Sequence, residues 1–170
     1  MSSTPREQCA HLARQLHAAL AAAGSTLAAA ESLTGGLLAL TLTEAPGASE
    51  VFRGSVTAYA TDVKADVLNV DRSLLDARGP VDARVAEQMA EGVRGLMRAT
   101  YGLATTGVAG PSPQDGRDPG TVYIAFAAAD HSCSTRIDAD GDRHEVQRAA
   151  VLRALVMVRD HLRPRGPHET

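Results

Sequence analysis

Residues 25–45, STLAAAESLTGGLLALTLTEA, hold three local signals whose order decides the fold. STLAAAE is an apolar run of strand length and reads as a short buried strand. SLTGG is a Gly-rich turn, and LLALTLTEA continues as a helix until the Pro46-Gly47 break. A strand, a glycine turn and a helix in succession are the mark of an alternating α/β chain.

The alternation extends in both directions. Upstream, Thr4, Pro5 and Glu7 give the N-cap, first helical position and capping box of a helix that Gly24 ends. Downstream, FRGSVTAYA (52–60) reads as a second strand. Thr61 as N-cap with Asp62 in the first turn then opens a short helix, DVKADVLN. Asp82 caps a longer helix over 83–99, in which Val85, Met89, Val93 and Met97 recur every four residues. YGLATT, TVYIAFAAA and CSTRIDA supply three more strands, and 141–162 form the last helix before the polar tail at 164–170. No repeat or linker divides the 170 residues, so a single domain is expected. It should be a three-layer α/β/α sandwich with a mixed central sheet.

Composition narrows the partners. With 44% hydrophobic but only 3% aromatic residues and no Trp, the core is expected to be Ala, Leu and Val. A net charge of −3 with scattered arginines offers no phosphate-backbone footprint, so no nucleic acid is expected. The N-terminal twenty residues lack the apolar run of a signal peptide, and no eighteen apolar residues are consecutive. A cytoplasmic chain with no membrane partner is therefore expected. The two cysteines and six histidines fall into no ligand spacing, so no metal and no cofactor are expected.

Sheets of this class bind ligands at strand ends, which directs attention to two loops and one lysine. At the end of the first strand, Ser32 and Thr34 stand beside Gly35 and Gly36. There a hydroxyl meets helix N-terminal amides able to hold a phosphate or an oxyanion. The turn alone is equally compatible with a plain N-cap. The long segment GVAGPSPQDGRDPG follows the strand YGLATT, where Thr105, Thr106, Gly107 and Gly110 could cradle a phosphate or ribose; a surface loop is the alternative. Lys64 is the only lysine, although arginine occurs sixteen times. Arginine cannot give up its proton and lysine can, so a lone lysine is a candidate base unless composition alone left it there. One serine, one lysine and no histidine pattern favour Ser-Lys chemistry, which requires a largely neutral amine.

AAESLTGG, YATDVKADVLNV, TTGVAGP and PGTVYIAF, in this order, resemble the CinA C-terminal domain family, over roughly residues 8–163. The resemblance implies a nicotinamide-nucleotide amidohydrolase in which Ser32 is the nucleophile, Lys64 its base and Tyr59, on the second strand, a site residue. It further implies that Thr106 and the GVAGP loop bind the nucleotide and that Arg143 reaches its phosphate. The expected reaction is hydrolysis of the carboxamide of nicotinamide mononucleotide to nicotinate mononucleotide and ammonia, in pyridine nucleotide salvage. The rival reading is a non-catalytic nucleotide-binding module in a competence or damage-response pathway. Only the amidase half of the longer CinA proteins is expected in this chain. Pro80-Val81-Asp82 stands before the long helix where the family commonly has a serine. The Ala- and Val-rich faces of the two long helices are candidate surfaces for a homo-oligomer.

Overall fold

In the strand Leu27–Glu31 (β1), Leu27 and Ala29 face one side of the sheet and Ala28 and Ala30 the other, and all four are buried. A strand apolar on both faces needs cover on both, and the chain supplies it. The computed structural model describes residues 4–163. The polar tail expected at 164–170 lies outside the described residues.

One cover is built from helices Pro5–Ala22 (α1), Leu37–Glu44 (α2) and Arg143–Leu162 (α7), with α1 packed along α7. Helices Thr61–Leu68 (α4), Arg72–Arg78 (α5) and Ala83–Leu96 (α6) form the other. Between them lie strands Phe52–Thr57 (β2), Tyr101–Gly107 (β3), Thr121–Ala127 (β4) and Ser132–Asp138 (β5), in the spatial order β2-β1-β3-β4-β5. β1 runs parallel to β2 and β3, whereas β4 and β5 are antiparallel additions. The result is the expected three-layer sandwich with a mixed sheet. Among the described residues no helix is long and apolar enough to cross a membrane.

Small residues set the layer spacing. A Cβ on Gly102 of β3 would stand 2.0 Å from the Ala90 carbonyl oxygen, so α6 can lie on β3 only because that position is glycine. Caps formed where expected at Thr4, with its Glu7 capping box, and at Asp82.

Four expectations are corrected. The second strand stops at Thr57, because Ala58 N–H turns to donate to the Glu31 carbonyl, so Tyr59 lies in a connection and not on a strand. Ala60, not Thr61, is the N-cap of α4, and no side chain caps that helix; Asp62 instead accepts from the Val63 amide. The long helix ends at Leu96 and not at 99, its last turn closing on Met97 and on Arg98 with φ 50°. Two short helices, Ala48–Val51 (α3) and α5, were not anticipated.

Candidate active site

The C-terminal ends of the three parallel strands meet in one place, where the glycine turn, the β2–α4 connection and the start of the long loop converge. At the end of β1, Glu31 is fully buried. Its carboxylate accepts from Thr34 Oγ1 (2.7 Å) and from the amides of Gly36 (3.0 Å), Leu38 (3.0 Å) and Ala39 (2.9 Å). These are the groups that a helix N-terminus would otherwise offer to a ligand. Gly36, at φ 102°, lets the chain fold back over the carboxylate.

Internal hydrogen bonds occupy part of the expected binding set. Thr34 donates to Glu31, so the Thr105 hydroxyl, 2.8 Å away, donates to Thr34; both are buried scaffold. The Gly36 amide is likewise taken, and the Gly35 amide donates to the Ser32 carbonyl. The amides of Leu33 and Thr34 donate to no acceptor among the described residues, which leaves them, and not the helix start itself, for a ligand oxygen.

Ser32 is held at this turn by its own amide, which donates to the Thr105 carbonyl. Its Oγ lies 3.0 Å from Lys64 Nζ. Lys64 is 1% exposed, enters from α4, and donates to the carbonyl of Ala58 at 2.7 Å and more weakly to that of Tyr59 at 3.5 Å. It makes no ion pair among the described residues. A neutral amine has two N–H donors and one lone pair; two carbonyls and one hydroxyl surround Nζ, so Ser32 can donate to it. Burial without a counter-ion pulls the lysine down from 10.5 to about 8.

Ser32, Tyr59, Thr106, Gly107, Gly110 and Arg143 share one small cleft of about 80 Å³. Tyr59 is 64% exposed and stands at its mouth. Thr106 spends its proton on the Pro80 carbonyl at 2.7 Å, so toward a ligand it offers an acceptor. Gly107 has no room for a side chain, because a Cβ there would meet the Thr121 carbonyl oxygen at 2.5 Å. Arg143 is the first residue of α7, exposed, and without an ion pair among the described residues. One turn further on, Gln147 Nε2 donates to the Leu33 carbonyl at 2.8 Å and ties α7 to the serine turn.

Sequence reasoning had missed the roles of Glu31, Gln147 and Pro80. Glu31 carried a readable signal, a single acidic residue closing an otherwise apolar strand immediately before a helix start. Gln147 carried none, because its partner is more than a hundred residues away.

The model of the CinA C-terminal domain matches residues 9–162. The chain belongs to that family. It is 53% identical over 135 residues to a CinA-like protein of Frankia casuarinae, covering 79% of this chain and 31% of the relative. A CinA-like protein of Myxococcus xanthus is 46% identical over 143 residues, covering 82% and 34%. The chain thus spans about a third of the length of these curated relatives. The crystal structure of the competence/damage inducible protein CihA of Agrobacterium tumefaciens superposes with a TM-score of 0.87 at 34% identity, covering 94% of this chain and 98% of that one.

Proposed function

We propose that this CinA-family domain is an amidase that hydrolyses the carboxamide of nicotinamide mononucleotide by a Ser-Lys mechanism. The observation that carries the reading is the 3.0 Å contact between Ser32 Oγ and a buried lysine amine that has no counter-ion among the described residues. A protein that only binds a nucleotide gains nothing from such an amine, whereas a general base must be neutral.

Neutral Lys64 takes the Ser32 hydroxyl proton as Oγ bonds to the carboxamide carbon. The carbonyl oxygen becomes an oxyanion within reach of the Leu33 and Thr34 amides. On collapse the C–N bond breaks, the protonated lysine passes its proton to the departing nitrogen, and ammonia leaves. Water then adds to the acyl-serine, giving a proton to Lys64; the ester C–O bond breaks as the protonated lysine returns that proton to Ser32 Oγ, which releases nicotinate mononucleotide and restores both Ser32 and the neutral amine. A cleft of about 80 Å³ suits a carboxamide and not a whole nucleotide. The sugar and phosphate would therefore lie along the Gly107–Gly110 rim toward Arg143, whose fork matches a phosphate.

Ammonia release from nicotinamide mononucleotide, measured with chelator present, tests this reading. The natural protein should turn over. Ser32→Ala and Lys64→Arg should each lose about a hundred- to ten-thousand-fold, since arginine keeps the charge but cannot accept a proton. The rate should climb with pH and level off above about 8, as the amine loses its proton. Turnover retained in Lys64→Arg, or abolished by chelator, contradicts the mechanism.

A further inference from the structure

A second and larger cavity, of about 720 Å³, lies between α1, α2 and the first turns of α7; it shares no lining residue with the serine cleft, and Gln147, which lines it, bonds to the serine turn through the Leu33 carbonyl. Its lining is largely apolar, with Cys9, Ala45 and Val151 buried beneath it and Leu37 and Leu40 along one wall, where Leu40 is left 53% exposed. Its charge is one-sided. Of the lining groups, Glu44 is the only carboxylate, and Arg6 faces it at 3.5 Å. Arg14 and Arg148 line the same cavity and make no salt bridge among the described residues, although Arg148 is near enough to Asp142 to help lower its carboxyl. An apolar hollow of this size with a few convergent polar groups is the ordinary form of a small-molecule site. Two guanidiniums at the rim of an apolar floor match one kind of guest, an apolar body carrying an oxyanion head.

We infer that this cavity is a second binding site, separate from the serine cleft, for a small anionic amphiphile held by Arg14 and Arg148 over the Leu37–Leu40 wall. The inference stands whether or not the domain is an amidase, because its test reads binding alone.

The probe is 8-anilino-1-naphthalenesulfonate, whose fluorescence rises in apolar surroundings, compared with the uncharged N-phenyl-1-naphthylamine. The natural protein should bind both probes. The double charge reversal Arg14→Glu/Arg148→Glu, at exposed positions that leave the core untouched, should weaken the sulfonate at least about tenfold and leave the uncharged probe unchanged. Ala10→Trp, which fills the cavity, should abolish both. Decanoate and phenyl phosphate, added as competitors, tell an acyl from an aromatic body. Equal sulfonate binding by the charge-reversed and natural proteins overturns the inference, as does displacement by neither competitor. So does a sedimentation profile in which self-association removes the probe, because a second copy would then be the occupant.

Discussion

The amine of Lys64, enclosed with no carboxylate paired to it among the described residues, destabilises the fold around it. The depression of Lys64 from 10.5 to about 8 corresponds to a cost of about 3 kcal/mol. The sign follows from proton counts. Between pH 8 and 10.5 the unfolded chain holds the lysine proton and the folded chain does not, so stability rises with pH across that window. Below 8 both states are protonated and the full penalty is present. Lys64→Met keeps the length of the side chain without the charge, at the expense of the bond to the Ala58 carbonyl. It should therefore raise stability by about 1–3 kcal/mol at pH 7 while abolishing turnover, and the gain should shrink as pH rises from 8 toward 10. Denaturant melts at pH 7 and pH 9.5 check this, and a variant destabilised equally at both contradicts it. Lys64 was legible as a candidate base because the sequence holds one lysine among sixteen arginines. Its burial was not legible, since that depends on Ala58 and Ser32 arriving from other elements.

At the scale of elements, the position of Lys64 depends on how closely α4 lies against α6. That approach is set by Gly92, where a Cβ would stand 1.9 Å from the Leu68 carbonyl oxygen, at the end of the lysine's own helix. Backbone cannot yield as a side chain can. Gly92→Ala should therefore push α4 outward, lower stability by about 1–3 kcal/mol, and reduce turnover by more than the unfolded fraction explains, because Nζ moves with its helix. Thermal melts beside rates on the folded protein separate the two effects; full activity at unchanged stability contradicts the packing argument. Long periodic elements such as α1, α6 and α7 were readable from spacing and caps. The short α3 and α5 were not, because four and seven residues hold too little pattern to stand out from a loop. Tyr59 was placed on a strand because SVTAYA is strand-like in composition, yet tertiary pairing with Glu31 turned the chain two residues earlier.

For the whole molecule, the mixed sheet brings the Ser32 turn, the Lys64 helix and the Thr106–Gly110 loop to the C-terminal end of its parallel strands, and α7 closes that end with Arg143 and Gln147. The order of strands and helices was readable, since alternation and apolar runs are local properties. Which amides remain open was not, because Glu31 decides it by folding back under α2. Everything proposed for the cleft rests on a lysine that is neutral enough near pH 8 to accept the proton of Ser32. Since Lys64 is the only lysine, protein labelled with ¹³C-lysine gives a single side-chain Cε resonance, and its titration reads the amine directly. A midpoint near 8 is expected, returning toward 10.5 on unfolding. A midpoint near 10.5 in the folded protein would mean a lysine charged throughout the working range, and the Ser-Lys mechanism would fall.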